Sequence, residues 1–173
     1  MDATTFFNRL GHDSDHSSAV VSILRRSLSF EPGQYISAFP VVEPYLYDLP
    51  ESRRKVAYLA AGLWATAQRR TSGTAMPLAE AFRRVADKRR GESSTASSVD
   101  KRFITLLDSD IDELPHRLRQ IVSLINAEQT LIDWPALLND LFAWNAESRH
   151  VQRYWARLYW RSGESPITQT PQA

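Results

Sequence analysis

The chain has 173 residues and a mass of 19.7 kDa, with 43% hydrophobic and 24% charged residues and no cysteine. These values are typical of one globular domain or two small lobes, and they exclude disulfides, thiolate metal sites and a cysteine nucleophile. The net charge is +1, but residues 53–90 carry ten bases against two acids, whereas the segments before and after are net acidic. Arginine supplies 18 of the 21 bases. Because its planar guanidinium binds phosphate at two points, this distribution favours a polyanionic partner.

The sequence contains no segment typical of a membrane helix or a targeting signal. Its longest apolar stretch, at residues 56–67, is interrupted by glycine and threonine and is shorter than the roughly 20 residues that a membrane helix needs. The first five residues contain neither a basic region nor an apolar signal. We therefore expect a soluble cytoplasmic protein with no membrane partner.

The first half of the chain is predicted to form helices joined by one extended segment. The predicted helices cover residues 2–10, 18–28 and about 51–70, and a further helix follows Pro77. Serines 17 and 18 are candidate caps of the second helix. Four prolines and several aromatic residues between residues 30 and 50 indicate an extended connection, held in place by its aromatic side chains.

The second half shows the clearest helical periodicity. Helices are predicted from about Val99 to Leu107, from near Asp112, from a cap at Asp133, and over residues 147–161. The helix near Asp112 has an apolar face that comprises Leu114, Leu118, Ile121, Val122 and Ile125. Strand signals are almost absent, because no alternating β-branched runs and no hairpin turns between such runs occur.

These elements predict an all-α fold of about eight helices in a compact bundle. Residues 91–98 are small and polar, which is typical of a mobile loop or a hinge. We therefore predict a helical lobe at 1–90 and a second one at 99–161, joined near this segment. The tail at 162–173, with two prolines and no apolar cluster, is predicted to be disordered.

Candidates for catalytic or metal chemistry fail on their spacing. His12 and His16 are four residues apart, as in zinc-binding helices, but the glutamate of His-Glu-x-x-His is missing and the pair is predicted to lie in a connection. Residues 108–112 resemble the start of a calcium loop, but its sixth and twelfth positions are Glu113 and Arg119 instead of glycine and glutamate. Helix capping explains these acids better. Glycine-rich phosphate loops and nucleophile elbows are also absent, so we expect no enzyme, no metal and no cofactor.

The last predicted helix carries a basic stripe. Arg149, Arg153, Arg157 and Arg161 recur every four residues, so they lie on one broad helical face, and Trp160 lies beside them. An aromatic ring among spaced guanidinium groups suits a single-stranded nucleic acid, since the cations pair with phosphates and the ring stacks on a base. The alternative is a solvated face whose arginines pair with carboxylates of this chain or of another subunit.

Further basic groups lie at helix ends and edges. Arg25 and Arg26 end the second helix, where cations are favoured by the helix dipole. Residues 53–55 are all basic and fall in the first turn of a helix, where cations are unfavourable, and this position suggests an external anion. Arg117 and Arg119 flank a buried stripe and are predicted to emerge at its edges.

The order of several segments resembles one known family. The stretches that carry the resemblance are Phe6-Phe7-Asn8-Arg9-Leu10, Ile23-Leu24-Arg25-Arg26-Ser27, Arg102-Phe103-Ile104-Thr105-Leu106-Leu107, Leu114-Pro115-His116-Arg117-Leu118-Arg119-Gln120-Ile121-Val122, Ile132-Asp133-Trp134-Pro135 and Val151-Gln152-Arg153-Tyr154-Trp155-Ala156. Together they span nearly the whole chain, and none is a catalytic signature. In this order and in an all-helical context, the sequence resembles the CasB family, the small subunit of the type I-E CRISPR surveillance complex, Cascade.

The resemblance implies a non-enzymatic helical subunit, present in two copies between the backbone subunits and the large subunit of the complex. It further implies a basic surface that supports guide RNA and target-strand binding and holds the displaced DNA strand. The positions that match the family's basic patch best are Arg25, Arg26, Arg53, Arg54, Lys101, Arg102, Arg117 and Arg119, and the stripe of Arg149, Arg153 and Arg157 matches a basic segment less closely. The competing hypothesis is a helical protein-interaction scaffold that does not contact nucleic acid.

Overall fold

The computed structural model of the chain describes residues 1–67, 73–92 and 96–161, without the side chains of residues 90–92, 96 and 97. Within these ranges the chain forms nine α-helices: α1 (Ala3–His16), α2 (Ser18–Ser27), α3 (Phe39–Val42), α4 (Glu51–Thr66), α5 (Leu78–Glu92), α6 (Ala96–Asp108), α7 (Leu114–Ala127), α8 (Trp134–Phe142) and α9 (His150–Tyr159). The all-α prediction is confirmed. In the same ranges β-structure is limited to one isolated bridge between Met76 and Ile132, and no helix combines the length and the apolar character needed to cross a membrane.

Helix α4 is the central helix of the first half, because it packs against α2, α7 and α8. Every residue from Val56 to Ala65 is buried. The spacing of Val56, Leu59, Leu63 and Ala67 predicts one apolar stripe on this helix. That prediction understates the burial, since a helix with neighbours on several sides buries most of its circumference. The helix ends at Thr66 rather than near residue 70, and residues 68–72 lie outside the described ranges.

Gly62 allows α2 and α4 to approach closely. A Cβ atom added there would lie 2.7 Å from Leu28 Cδ2 and 3.2 Å from the carbonyl oxygen of Leu24 on α2. We expect Gly62→Ala to lower the free energy of unfolding by about 1–2 kcal/mol, because overpacking at a backbone contact outweighs the helix propensity gained.

Gly11 on α1 is the matched control for this prediction. A Cβ added at Gly11 meets nothing within 4 Å, so Gly11→Ala should stabilise the protein by about 0.5–1 kcal/mol. Urea denaturation of both variants measures the difference. Equal effects of the two substitutions would show that the helices do not meet at Gly62.

The sequence predicts an extended segment between residues 30 and 50, and this prediction is wrong. The segment forms short helical turns. These are α3 and two 3₁₀ turns at Ile36–Ala38 and Glu43–Tyr45. Proline favours such turns at their first positions, because its φ is already helical and its missing N–H would be unpaired there anyway. Aromatic contacts do hold the segment in place, as predicted. The ring of Tyr45 lies 6.2 Å from that of Phe6, and its hydroxyl donates to Asp13 at 2.5 Å.

Helix α1 continues to His16, beyond the predicted end at Leu10, so the prediction that the two histidines lie in a connection is wrong. Asp2 caps the helix by accepting the backbone N–H of Thr5 at 2.7 Å. The His12 and His16 rings lie on the last turns with their centroids 4.3 Å apart. Across the described residues, no group of three or more His, Asp or Glu side chains is arranged to hold a metal ion.

The helices of the second half surround an aromatic cluster. Helix α5 packs against α6, α7 and α9, and the ring centroids of Phe82, Phe103 and Tyr159 lie within 5.8 Å of one another. Asp110 accepts two backbone N–H bonds at 3.0 Å in the turn before α7. Asp133 caps α8 by accepting an N–H of its first turn at 2.9 Å. Asp110 therefore stabilises the turn before α7 and does not cap the helix, whose N-cap residue, Glu113, makes no side-chain capping bond.

The two predicted halves contact each other through several helices. Helix α8 packs against α1 and α4, and α5 packs against α7 and α9. The division into lobes at 1–90 and 99–161 stays a prediction, because residues 93–95 of the proposed hinge lie outside the described ranges. The predicted disordered tail at 162–173 lies outside them as well.

Candidate nucleic-acid interface

Helices α6 and α9 lie side by side and run in opposite directions. At one end, Arg149 Nη2 donates to the carbonyl oxygen of Leu107 at 2.8 Å. At the other end, the Tyr159 hydroxyl donates to Asp100 Oδ1 at 2.7 Å. Because these bonds join the start of α9 to the end of α6 and the end of α9 to the start of α6, the outer faces of both helices form one surface.

Two buried side chains of α9, besides Tyr159, connect the helix to the core by hydrogen bonds. Trp155 is fully buried, with its ring centroid 5.1 Å from that of Trp144, and its Nε1 donates to Asp140 Oδ2 at 2.7 Å. Gln152 donates to the carbonyl oxygen of Trp144 at 2.8 Å. These contacts orient the helix, so its outward-facing cations are held on a rigid support.

Arg149 precedes α9 instead of lying within it, because its backbone is left-handed with a φ of 47°. The helix therefore begins at His150 rather than at residue 147, and it ends at Tyr159. The predicted stripe is interrupted at this point. Arg149 is positioned by its bond to Leu107, where the cation also compensates the carbonyl end of α6.

The carboxylate of Asp140 gives stability a defined pH dependence. Burial raises the pKa of Asp140, and the hydrogen bond from Trp155 opposes that rise. Because the folded pKa lies above the unfolded value of 3.8, this group makes the protein less stable as the pH rises through the interval between the two values. We expect Asp140→Asn to flatten this dependence and to be at least as stable as the parent at pH 7.

Urea denaturation at pH 4, 5, 6 and 7 measures this effect. Asparagine keeps an oxygen that can accept the Trp155 N–H, so the packing of α9 is preserved. A variant that is less stable than the parent at pH 7, with the same pH dependence, would contradict the assigned role of burial.

Six exposed residues on or next to these two helices, in and beside the groove between them, form what we define as the α6/α9 surface, and the exposed Asp108 borders it. It comprises Lys101, Ile104, Arg149, Arg153, Arg157 and Trp160, all of which are exposed. Four of them, Ile104, Arg149, Arg153 and Trp160, line a shallow groove between the helices together with Leu107, Asp108, Gln152 and Ala156. The surface thus combines four cations with two exposed apolar side chains, and it includes the predicted Trp160 among the arginines.

Like Arg149, the predicted binding residues Arg25 and Arg54 bond to groups of the protein itself. Arg25 Nε donates to the carbonyl oxygen of Ala65 at 2.8 Å, which satisfies one of the last carbonyls of α4. Arg54 donates to Glu43 and to the carbonyl oxygen of Leu49, the latter at 3.0 Å. Arg54 therefore has an internal anion, and its position in the first turn of a helix does not require an external one.

The partner of Arg54 also contacts a buried tyrosine. The Tyr58 hydroxyl donates to Glu43 Oε1 at 3.0 Å. Burial and this bond to a carboxylate both raise the pKa of Tyr58. Arg54, Glu43 and Tyr58 thus form a polar cluster that attaches the turn at Glu43–Tyr45 to α4.

The remaining cations that were predicted to bind nucleic acid form two groups, one half-buried and one exposed. Arg117 and Arg119 on α7 are half-buried, and their Nε atoms are enclosed without a hydrogen-bond partner among the described residues. Arg119 Nη2 lies 3.3 Å from the carbonyl oxygen of Phe30. Arg26, Arg53 and Arg102 are exposed, and the Arg53 guanidinium lies 5.3 Å from the centroid of the Phe142 ring.

Ile104 is not among the binding residues predicted from the sequence. Its side chain is 53% exposed and lines the groove that contains Trp160. The signal was present in the sequence, because Phe103 and Leu106 define the buried side of α6 and Ile104 falls outside it. A single exposed apolar side chain is ordinary on a helix, but Ile104 shares its groove with the exposed Trp160, and adjacent exposed apolar side chains indicate a contact surface.

The sequence matches the family described as CRISPR-associated protein Cse2 over residues 21–160. A curated CRISPR-associated protein Cse2 from Thermus thermophilus is 39% identical over 150 residues, which cover 86% of this chain and 82% of the relative.

Solved structures show the same fold. A crystal structure of CasB from Thermus thermophilus is 35% identical, with a TM-score of 0.79 over 92% of this chain and 98% of the relative. A crystal structure of M. ruber CasB is 32% identical, with a TM-score of 0.76 over 93% of each chain. A chain from a structure described as a CRISPR RNA-guided surveillance complex is 23% identical. It shares the fold with a TM-score of 0.75, over 91% of each chain.

Proposed function

The chain belongs to the Cse2 family of CRISPR-associated proteins, and from this membership we propose that it is the non-catalytic small subunit of the type I-E surveillance complex, Cascade. Its protein partners are the backbone and large subunits of that complex and a second copy of itself. A chain of the same fold is described as a CRISPR RNA-guided surveillance complex, and this supports the assignment. The complex acts in antiviral defence in the cytoplasm.

Within the complex, the basic surface of the subunit supports guide RNA and target-strand binding and holds the displaced DNA strand. Sequence recognition in RNA-guided systems belongs to base pairing, so the protein needs only positive charge and suitable shape. Cations on rigid helices meet this requirement without any base-specific contact. No side chain of this surface has to perform chemistry, which agrees with a non-enzymatic role.

The observation that carries the proposal is the charge of the α6/α9 surface. The guanidinium groups of Arg153 and Arg157 have no ion-pair or hydrogen-bond partner within the described part of the chain. Lys101 lies one helical turn before Ile104 on the outer face of α6, opposite the arginines of α9. The exposed Arg26, Arg53 and Arg102 extend the basic area beyond this surface.

A second candidate function is that of a helical scaffold that contacts only proteins. The segment between residues 30 and 50 exposes several large apolar side chains, among them Ile36 at 75% and Tyr47 at 77%. Exposed apolar side chains in one segment are typical of protein–protein contact. In the proposed complex these residues face another subunit, so the two candidates differ only in whether the arginines meet nucleic acid.

A filter-binding titration with single-stranded DNA at increasing salt separates the two candidates. The full chain should bind an oligonucleotide at low ionic strength, and its affinity should fall linearly on a logarithmic salt scale as counterions are released. A pure scaffold shows no binding at any salt concentration. Copurification with the other subunits and with guide RNA tests the assignment to the complex separately.

A further inference from the structure

We propose that Trp160 is a base-stacking residue, which seats one unpaired nucleobase at the end of the groove between α6 and α9. This inference rests on the proposed function, because it assumes that a single strand lies along the α6/α9 surface. It adds a contact to the base itself, whereas the proposed function requires only contacts to phosphates.

The indole of Trp160 packs edge-to-face against two aromatic neighbours. Its ring centroid lies 5.6 Å from that of Phe103 at an interplanar angle of 62°, and 4.9 Å from that of Tyr159 at 81°. Both neighbours are buried, yet Trp160 itself remains 45% exposed. A large apolar ring that is fixed and still open to solvent is suited to stack on a flat partner.

The charge around the indole selects the kind of flat partner. Arg157 precedes Trp160 by three residues and is therefore its neighbour on the helix surface. Arg153 lies one further turn back and lines the same groove as Trp160. Two cations next to one exposed ring complement a nucleotide, which presents a negative phosphate beside an aromatic base. A side chain of a partner protein would not need both an exposed indole and two neighbouring cations in order to bind here.

The opposite end of the groove is less suited to phosphate. Asp108 lines the groove near Arg149, whose guanidinium is engaged with the carbonyl oxygen of Leu107. A phosphate is therefore expected beside Arg153 and Arg157, with the base at the Trp160 end and the exposed Ile104 against the apolar edge of the nucleotide.

Two oligonucleotides of equal charge separate base stacking from phosphate binding. One is a thymidine 15-mer, and the other is a 15-mer of abasic sites with the same number of phosphates. Their affinities for the full chain are measured at low ionic strength. We expect the parent protein to bind the thymidine strand at least about fivefold more tightly, since stacking on one aromatic residue contributes at least that factor.

Trp160→Ala should abolish this preference and leave binding of the abasic strand unchanged. Trp160→Phe should retain most of it, because a ring remains at the site. Tyr154→Ala is the matched control, since Tyr154 lies on the same helix and is 39% exposed but belongs to neither the groove nor the α6/α9 surface. Circular dichroism melts confirm that all variants fold.

Each outcome decides between the claims. A parent protein that binds neither strand overturns the proposed function and the inference with it. A parent that binds both strands equally, or a Trp160→Ala variant that keeps the preference for thymidine, overturns the inference alone. Loss of the preference in Trp160→Ala but not in Tyr154→Ala supports it.

Discussion

Reversing three charges of the α6/α9 surface, in the variant Lys101→Glu/Arg153→Glu/Arg157→Glu, should weaken binding of single-stranded DNA by about 100-fold at low salt. All three side chains are exposed, and each reversal removes a phosphate contact and adds a repulsion. The salt dependence should also change, because each lost contact reduces the slope of log affinity against log salt by about 0.7, or about 2 for three contacts.

The same net charge change placed elsewhere is the control for this prediction. Arg9, Lys55 and Arg84 are also exposed, but they lie on α1, α4 and α5 outside the α6/α9 surface. Their triple replacement by glutamate should weaken binding far less and leave most of the salt slope intact. Equal losses in both triple variants would show that binding depends on total charge and not on this surface. Neither variant should unfold, since exposed substitutions usually change stability by about 0.5 kcal/mol or less.

Removing the buried indole of α9 should have the largest effect on stability. We expect Trp155→Ala to lower the free energy of unfolding by about 3–5 kcal/mol, because it deletes a fully buried ring next to Trp144 and leaves a cavity. It also removes the N–H that Asp140 accepts at 2.7 Å. For a chain of this size the melting temperature should fall by about 10 °C.

Two further variants separate packing from hydrogen bonding at this site. Trp155→Phe keeps an aromatic ring and loses the N–H, so it should cost less than Trp155→Ala. Tyr154→Ala, one residue earlier and exposed, should change the melting temperature little. Similar losses at positions 154 and 155 would contradict the orientation of α9 given above.

The helices themselves could be predicted because their apolar spacing is local information. The face of α7, with Leu114, Leu118 and Ile121, is buried as the spacing predicts. Asp133 caps α8 as expected. The short helical turns between residues 30 and 50 could not be predicted from such local patterns. Their prolines are compatible with both extended and helical backbone, and tertiary contacts of Tyr45 decide between them.

The pairing of cations could not be predicted from spacing, because partners come from distant parts of the chain. The place of Arg54 in the first turn of a helix predicts that it binds an external anion. Its guanidinium bonds instead to the Glu43 carboxylate and the Leu49 carbonyl oxygen. Arg25 bonds to Ala65, forty residues away. Conversely, Lys101 and Arg157 belong to one surface only because α6 and α9 run antiparallel, which the bonds of Arg149 and Tyr159 establish.

Photo-crosslinking identifies the part of the protein that contacts a bound single strand. The full chain is mixed at low salt with an oligonucleotide that carries 4-thiothymidine, irradiated and digested, and the crosslinked peptides are identified by mass spectrometry. A single strand held on the α6/α9 surface predicts crosslinks within residues 96–108 and 149–161, reduced by an unlabelled competitor strand. Crosslinks confined to other helices, with none in these two ranges, would contradict binding of the strand on the α6/α9 surface.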